Sequence, residues 1–309
     1  MPTFLVIGGA GFIGSHLCDA LVRRGDTVRV LDDLSTGSRD NLPPGVTLIE
    51  ADVADQYAVR DAIEGVDGAF HLAAIASVAR SVTDWSGTHR VNLTGTVTLF
   101  DAIRRRGAPI PVVYASSAAV YGDCPTVPIG EDAECRPLSG YGADKYACEL
   151  HAHVAGHVHG IPATGLRFFN VYGPRQDPRS PYSGVVSIFC ERVVRGAPID
   201  VFGDGEQTRD FVFVADAVTA MLAAMRASPA GAPVFNVCTG TPTSVLDLAR
   251  TIANLAGTVL EVRHLAPRAG DIRHSTGMPQ RARIAFGLGE PVPLHVGLRK
   301  VLDGLGTGL

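Results

Sequence analysis

The stretch TFLVIGGAGFIGSHL, residues 3–17, decides the fold. An apolar run suited to a buried strand leads into Gly8, Gly11 and Gly14, spaced GxxGxxG, and an amphipathic segment follows. Glycines at this spacing let the backbone turn tightly and approach a pyrophosphate, whose charge then meets the amides at a helix N-terminus. A glycine triplet alone is weak evidence, because an ordinary turn between a strand and a helix also uses glycine.

The second strand-like run strengthens this interpretation. The run TVRVLD ends at Asp32, about 20 residues beyond the glycines, as a dinucleotide-binding fingerprint requires. A carboxylate at this position accepts hydrogen bonds from an adenosine ribose diol and repels a 2′-phosphate. The pattern therefore predicts a dinucleotide site and favours NAD over NADP.

Strand-like and helix-like segments alternate outward from this motif. The strand-like runs are TFLVIGG, TVRVLD, VTLIEA, GAFHLA, PVVYAS and ATGLRFFN. Such alternation predicts crossover units, and hence an α/β fold with a Rossmann-like, doubly wound parallel sheet. After Asn170 the rhythm breaks, because proline and glycine become dense. We expect an NAD-binding domain over residues 1–170 and a smaller, mixed substrate domain over 171–309, with elements near 205–237 returning to the first domain.

The composition argues against several classes of protein. A net charge of −4 without a basic stripe does not suit a nucleic-acid binder. The sequence has no run of about 18 apolar residues and no basic leader, so we expect no membrane span, no secretory signal and a cytoplasmic protein. The cysteines stand singly, which favours reduced thiols over a disulfide framework or a zinc site. They are Cys18, Cys124, Cys135, Cys148, Cys190 and Cys238.

A second motif, YGADKYACEL, places Tyr141 and Lys145 four residues apart, on one face of a predicted helix. A phenol is protonated at neutral pH, and a nearby ammonium favours the phenolate. Lys145 and Lys300 are the only lysines in a chain with 27 lysines and arginines together. This scarcity indicates a place where the broad guanidinium of arginine does not serve, although an exposed, merely adjacent pair is the alternative.

The segment HAHVAGHVHG contains four histidines: His151, His153, His157 and His159. The pair at 153 and 157 has a spacing that suits a metal ion bound on a helix. However, no glutamate accompanies the pair, and histidines are favourable against the dipole near a helix C-terminus. We therefore expect a solvated helix end and no metal site.

These residues occur within a longer ordered set, and with it the chain resembles the extended short-chain dehydrogenase/reductase family. The closest resemblance is to its nucleotide-sugar epimerases of the UDP-glucose or UDP-N-acetylglucosamine 4-epimerase type. The motifs cover nearly the whole chain in the family's order: the glycine motif, Asp32, LAA at 72–74, VNLTGT with Asn92, Ser117 with YGADK, LRFFN with Asn170, GDGEQTRDF and PRAGD.

The resemblance implies that Ser117, Tyr141 and Lys145 are the catalytic residues. Dehydratases of the family carry an acidic pair directly after the serine, and related decarboxylases carry a glutamate at the second of these positions. Ala118 and Ala119 stand there in this chain, so an elimination lacks its acid catalyst. Under the resulting hypothesis, Tyr141 takes the proton of a sugar 4-hydroxyl steadied by Ser117, and the C4 hydride passes to NAD and returns on the other face.

The resemblance also implies the ligand contacts. The expected NAD contacts are Gly8, Gly11, Phe12, Ile13, Gly14, Asp32, Asp33, Leu34, Ser35, Gly37, Asp52, Val53, Leu72, Ala73, Ala74, Asn92, Ser116, Tyr141, Lys145 and Phe168. The expected UDP-sugar contacts are Ser117, Asn170, Val185, Arg209, Arg268, Asp271 and Ser275. The resemblance further implies that the residue four positions after Asp271 limits the sugar pocket. Because this residue is the small Ser275, we expect room for a 2-acetamido group, and UDP-N-acetylhexosamine stands beside UDP-glucose and UDP-galactose as a candidate substrate.

Several alternatives stay open at this point. Within enzymes they are a UDP-glucuronate 4-epimerase and an NAD-dependent nucleotide-sugar 4-ketoreductase. Outside enzymes the alternative is a dinucleotide-sensing binding protein, which would not require Ser117, Tyr141 and Lys145 together. By family analogy we also expect a homodimer formed through the helices around residues 94–106 and 141–159.

Overall fold

A parallel sheet forms the centre of the molecule in the computed structural model, which describes residues 1–178, 184–267 and 271–306. Seven strands of the described chain build it, in the spatial order β10-β6-β5-β4-β1-β2-β3, and all their pairings are parallel. The strands are β1 Thr3–Ile7, β2 Thr27–Asp32, β3 Thr47–Glu50, β4 Gly68–His71, β5 Val112–Ser117, β6 Ala163–Phe168 and β10 Val234–Val237.

Helices cover both faces of this sheet. One face packs against α1 Phe12–Arg23, α8 Val214–Ala227 and α10 Gln280–Phe286. The other face packs against α2 Gln56–Ala62, α5 Gly95–Arg106 and α6 Gly140–His159. The apolar strands are thus buried on both sides, as parallel sheets require. The predicted fold class, a Rossmann-like doubly wound α/β sheet, is confirmed.

Short helical segments follow β4 and precede α5. They are α3 Val78–Thr83, α4 Trp85–His89 and a π-helical turn, Arg90–Thr94. Two 3₁₀ turns, Arg39–Asn41 and Ala118–Tyr121, follow β2 and β5.

The later part of the chain builds a second layer around β9 Thr208–Phe213. This strand pairs with β7 Asn170–Tyr172 and β13 His274–Ser275 in parallel and with β11 Pro242–Ser244 antiparallel. Nearby, β8 Ile199–Phe202 pairs with β12 Val262–Leu265. A third apolar cluster buries these strands under α7 Val185–Val194, α9 Val245–Ala256 and α11 Leu294–Gly306.

The chain passes between the two layers more than once. β9 belongs to the second layer, whereas β10 pairs with β6 at the edge of the large sheet. The helix between these two strands, α8, packs against α1 on the large sheet. The domain boundary at residue 170 stays a prediction, because contacts of this kind cross it.

In the described part of the chain, no helix has both the length and the apolar character needed to cross a membrane.

Candidate active site

The glycine motif lies where β1 ends and α1 begins. Gly8 has a φ of +81°, which a residue with a side chain rarely adopts, and its amide donates to Leu31 O at 2.9 Å. A Cβ on Gly14 would lie 2.1 Å from Gly8 O, so only glycine lets α1 pack this close to the turn. A Cβ on Gly11 would meet only Gly8 O, at 3.4 Å, and would otherwise stand in the open cradle above the turn.

The N-terminus of α1 suits an anion. Gly11 is its N-cap residue and makes no side-chain capping bond, and no acidic side chain occupies the first turn. The first amides of a helix lack partners within the helix, and the helix dipole favours negative charge there. Phe12 and Ile13 stand in this turn, partly buried against the apolar cluster of the second layer. The motif therefore fits the pyrophosphate of a dinucleotide.

Asp32 ends the neighbouring strand β2 beside this turn. Its Oδ2 accepts from Ala10 N and its Oδ1 from Leu34 N, both at 2.9 Å. Burial raises the pKa of this carboxyl, while the two backbone donors oppose that shift. The loop thus holds the carboxylate at the carboxyl end of the sheet, where a ribose diol can donate to its remaining lone pairs.

The loop after Asp32 contains the next predicted cofactor contacts. Asp33 accepts from the amide and hydroxyl of Ser35 at 3.0 and 2.6 Å, and Leu34 has a φ of 56°. A Cβ on Gly37 would lie 2.8 Å from the backbone of Ala10, so this loop folds onto the glycine turn.

The other predicted cofactor contacts lie at the same edge of the sheet. Leu72 and Ala73 both donate to Ile7 O, which directs the 72–74 segment past the glycine turn. Asn92, in the π-helical turn, accepts from Ile75 N at 2.7 Å and so fixes the loop after β4. Val53 contacts the start of α5, and Asp52 pairs with Arg90. The contacts of these residues with NAD stay predictions.

Ser117, Tyr141 and Lys145 lie around the junction of β5 and α6. Ser117 is the last residue of β5, is opposite Phe168 in register, and accepts from Ala119 N at 3.2 Å. Ser139 caps α6 by accepting from Gly142 N at 3.1 Å. A Cβ on Gly142 would lie 2.6 Å from Ala119 O, so the first turn of α6 packs directly on the turn after Ser117.

Lys145 connects these elements. It is only 4% exposed, and its Nζ donates to Ala115 O at 2.9 Å and lies 6.0 Å from the centroid of the Tyr141 ring. Among the described residues Lys145 forms no ion pair, so its charge acts on Tyr141 without a neutralising partner. An ammonium held in this way stabilises an anion on the phenol.

Ser116 points away from this group. Its buried hydroxyl donates to Glu149, and Arg167 binds the same carboxylate through two bonds of 2.8 and 2.7 Å. This ion pair was not predicted from the sequence, because its partners come from α6 and β6 and no local spacing connects them. A contact between Ser116 and the cofactor stays a prediction.

Four of the predicted substrate residues line one cavity in the second layer. A cavity of about 430 Å³ is lined by Asn170, Val185, Arg209 and Asp271 together, although these residues lie far apart in the sequence. Ser275 is opposite Arg209 in the register of β13 and β9, but it is not among the described lining residues. Arg268, the other predicted phosphate contact, lies outside the described residues.

Two ion pairs line this cavity, Arg209–Asp271 and Arg192–Asp200. Arg209 Nη2 lies 2.6 Å from Asp271 Oδ1. Burial lowers the pKa of Arg209, and the Asp271 carboxylate opposes that shift. An arginine fork in a partly buried cavity is suited to phosphate oxygens. Three further polar residues line the cavity, Arg192, Asp200 and Gln207, and no recognisable motif in the sequence indicates any of them.

Among the described residues no group of three or more potential ligands, His, Cys, Asp or Glu, is arranged to hold a metal ion. The rings of His153 and His157 lie parallel, with their centroids 6.3 Å apart.

Comparison with known proteins agrees with this geometry. The model of the NAD dependent epimerase/dehydratase family matches residues 4–238. The chain belongs to this family. Its members depend on NAD, and the glycine turn, the α1 N-terminus and Asp32 fit that cofactor.

Relatives within the family extend over the whole chain. A UDP-glucose 4-epimerase of Mycolicibacterium smegmatis is 40% identical, covering 97% of both chains. The UDP-glucose 4-epimerase of Thermotoga maritima, solved with UDP-glucose, has a TM-score of 0.94 at 36% identity and covers 99% of both chains. A UDP-N-acetylglucosamine 4-epimerase of Methanobrevibacter ruminantium, solved with UDP-N-acetylmuramic acid, has a TM-score of 0.94 at 32% identity and covers 100% of this chain and 99% of its own.

Proposed function

We propose that the protein is an NAD-dependent UDP-sugar 4-epimerase, which inverts the C4 hydroxyl of a UDP-hexose through a transient 4-keto sugar. The observation that carries the proposal is the buried ammonium of Lys145 beside Tyr141, next to the turn that holds Ser117. The cavity around Arg209 and Asp271 supplies a place for the UDP moiety.

Each residue of the site has a separate task. The Tyr141 oxygen accepts the proton of the sugar 4-hydroxyl, and the Ser117 hydroxyl holds that hydroxyl in place. Lys145 stabilises the charge on Tyr141 through its buried ammonium. Bound NAD supplies the chemistry of accepting a hydride from C4 and giving it back. Arg209 holds the diphosphate, so that the sugar can present either face.

The absence of acidic side chains at Ala118 and Ala119 supports epimerisation over dehydration. These residues start the 3₁₀ turn directly after Ser117. A dehydratase needs an acid there to protonate the leaving hydroxyl. With alanine at both positions, the reaction that remains is the oxidation and reduction of one sugar carbon.

A panel of UDP-sugars tests the proposal. The protein is incubated with UDP-glucose, UDP-N-acetylglucosamine and UDP-glucuronate, and the C4 configuration is followed by proton NMR. We expect conversion of UDP-glucose, UDP-N-acetylglucosamine or both, without net turnover of NAD. Tyr141→Phe should abolish conversion and keep NAD bound. Accumulation of NADH would instead indicate a ketoreductase or dehydrogenase, and conversion of UDP-glucuronate alone would replace the proposed substrate.

The range of accepted sugars is part of the proposal. Ser275 is small, and we propose that it admits a 2-acetamido group beside the Arg209 cavity. The likeness to solved epimerases of both UDP-glucose and UDP-N-acetylglucosamine supports keeping both substrates.

We also propose a homodimer formed through α6. Leu150, Val154 and Val158 are one turn apart on this helix and are 53%, 50% and 62% exposed, and Val97 of α5 adds to the apolar surface. A continuous apolar stripe on an exposed helix favours burial against a second helix. The six free cysteines suit a reducing compartment, so the proposal places the protein in the cytoplasm.

A further inference from the structure

A buried polar chain runs beneath the Tyr141 site and has no part in the function proposed so far. It connects β5, α6, β6, β10 and the turn after β5. Its members, here called the Glu149 network, are Ser116, Tyr121, Glu149, Arg167 and Asn236, all buried.

Arg167 is the centre of the Glu149 network. Its Nε and Nη2 bind the two oxygens of Glu149 at 2.8 and 2.7 Å, and its Nη1 donates to Tyr121 OH at 2.8 Å and Glu131 O at 3.0 Å. Tyr121 OH in turn donates to Asn236 Oδ1 at 2.7 Å. Because charge-assisted bidentate bonds fix both distance and orientation, the Glu149 carboxylate is held in one place.

The position of Glu149 on α6 makes this constraint significant. Tyr141, Lys145 and Glu149 are spaced four residues apart, so they follow one another along one face of the helix. A glutamate one turn from a lysine ordinarily forms an ion pair with it. Here Glu149 is bound by Arg167 and Ser116, while Lys145 donates to Ala115 O.

The other ionisable groups around Lys145 do not neutralise it. Burial lowers the pKa of His71 on β4 to about 3 and raises that of Cys148 on α6, so both are uncharged near neutral pH. Asp144 on α6 lies 2.8 Å from His89 Nδ1. Burial also keeps Tyr114 on β5 protonated by raising its pKa. On the other elements packed against α6, Arg80 pairs with Asp84, Arg90 with Asp52, and both Arg104 and Arg105 with Asp101.

We propose that Arg167 is a positioning residue for the reaction: by holding both oxygens of Glu149, it keeps that carboxylate from pairing with Lys145 and leaves the ammonium free to act on Tyr141. The inference rests on the proposed function, because it assigns Tyr141 the role of base. It differs from a purely structural role because it predicts a raised Tyr141 midpoint when Arg167 alone is replaced and the reversal of that shift when the Glu149 carboxylate is removed as well.

Two substitutions separate these interpretations. Arg167→Gln frees the Glu149 carboxylate to pair with Lys145, and should move the phenolate midpoint of Tyr141 to higher pH by about one unit. Glu149→Gln removes the carboxylate that could pair with Lys145, and should leave the midpoint at or below that of the wild type. The double variant carries neither charge, and should return the midpoint towards that of the wild type.

The measurement is an ultraviolet difference titration of the NAD-loaded protein against Tyr141→Phe, made for each variant. It reports the phenolate directly and needs no turnover, so it is independent of the identity of the sugar. Where turnover of a UDP-sugar is found, the acid limb of kcat/KM should move in the same direction, and kcat of Arg167→Gln should fall about tenfold with little change in KM. Arg281→Gln, which breaks an exposed ion pair with Asp132, is the matched control.

A raised midpoint in Arg167→Gln that the double variant returns to the wild-type value supports the proposal. An unchanged or lowered midpoint in Arg167→Gln, or a raised midpoint that persists in the double variant, overturns it. If Arg167→Gln does not fold, Arg167→Lys takes its place, because a lysine keeps the positive charge but cannot hold both oxygens of Glu149, and an unchanged midpoint in that variant contradicts the proposal. Failure of all UDP-sugars to react would reject the proposed function without affecting this titration.

Discussion

At position 145 a lysine stands in a chain that otherwise uses arginine almost throughout. The structure supplies a physical reason, because the side chain is buried and its Nζ fits between Ala115 O and the Tyr141 ring. A guanidinium carries five N–H donors in a rigid fork, and each would need a partner in this buried place. The scarcity of lysine was therefore an informative signal.

Arg209 is the residue for which we predict the largest effect on substrate binding. Arg209→Ala removes the buried guanidinium from the cavity and leaves Asp271 without its partner. We expect the affinity for UDP to fall roughly 10- to 100-fold, corresponding to about 1.5–3 kcal/mol. Titration calorimetry with UDP measures it. Arg250→Ala, which breaks an exposed ion pair on α9, should bind UDP like the wild type. Equal affinities in both variants would contradict the assignment.

His71 provides a prediction about pH. Its Nε2 lies 2.9 Å from Thr96 Oγ1, its Nδ1 has no partner among the described residues, and burial lowers its pKa from 6.5 to about 3. Above pH 6.5 the His71 ring is neutral in both the folded and the unfolded chain, so it does not change the stability. Below pH 6.5 the unfolded chain binds a proton at this ring and the folded chain does not. Stability falls as the pH drops from 6.5 towards 3.

Between pH 6.5 and 5 this loss amounts to about 2 kcal/mol, at about 1.4 kcal/mol per pH unit. Chemical denaturation at the two pH values measures the loss of unfolding free energy. In His71→Leu the loss should be smaller by that amount. The same loss in the variant and the wild type would show that another group is responsible.

At the scale of elements, α1 and α6 each contribute residues to the site and also pack against the rest of the protein. α1 begins at the glycine turn and buries Leu17, Cys18 and Leu21 against the sheet. α6 buries Lys145 and Glu149 and exposes Leu150 and Val154. The same helix thus positions the reactive group and supplies the surface proposed for dimerisation.

Gly14 gives a prediction at this scale. In Gly14→Ala the new Cβ would lie 2.1 Å from Gly8 O, so α1 must move away from the turn. We expect a loss of about 1–3 kcal/mol in unfolding free energy and weaker retention of NAD. Thermal unfolding and the NAD content of the purified protein measure these effects.

Gly304→Ala is the matched control for this variant. It also substitutes a helical glycine, but in α11 a Cβ at this position has no neighbour within 4 Å among the described residues. It should therefore stabilise the protein by about 0.5–1 kcal/mol and leave the NAD content unchanged. Equal effects of the two substitutions would show that the close approach at Gly14 is not limiting.

At the scale of the whole molecule, the site is assembled from segments far apart in the chain. The cofactor end comes from β1, β2 and β4, the reactive end from β5 and α6, and the substrate cavity from β9, α7 and the residues before β13. The order of strands in the large sheet brings β10 next to β6, which lets Asn236 complete the Glu149 network.

The proposed dimer gives a prediction at this scale. Val154→Glu places a charge in the centre of the exposed stripe on α6, where burial of an unpaired charge is costly. We expect a shift from dimer to monomer, measured by sedimentation or light scattering. Ile284→Glu is the control, because Ile284 is 85% exposed on α10, on the opposite side of the sheet. A wild type that is already monomeric would refute the dimer.

Much of the fold could be predicted from local sequence. The glycine turn, Asp32 and the alternation of strands and helices depend on backbone geometry and burial within short segments, which residue types reveal directly. The Glu149–Arg167 ion pair could not be predicted in this way, because its two partners lie on α6 and β6. Arg192, Asp200 and Gln207 could not be predicted because no motif marks them and only the fold brings them to the cavity.

The sequence by itself determined the class of fold, the dinucleotide turn and the Tyr141 and Lys145 spacing, since each is a property of neighbouring residues along one strand or helix. Only the tertiary structure decided that Arg209 pairs with Asp271, 62 residues away, and that Arg167 rather than Lys145 binds Glu149. Such choices depend on which strands lie side by side in the folded sheets. A charged side chain is neutralised by the opposite charge that lies nearest to it in space, and the separation of two residues along the chain does not show which charge that is.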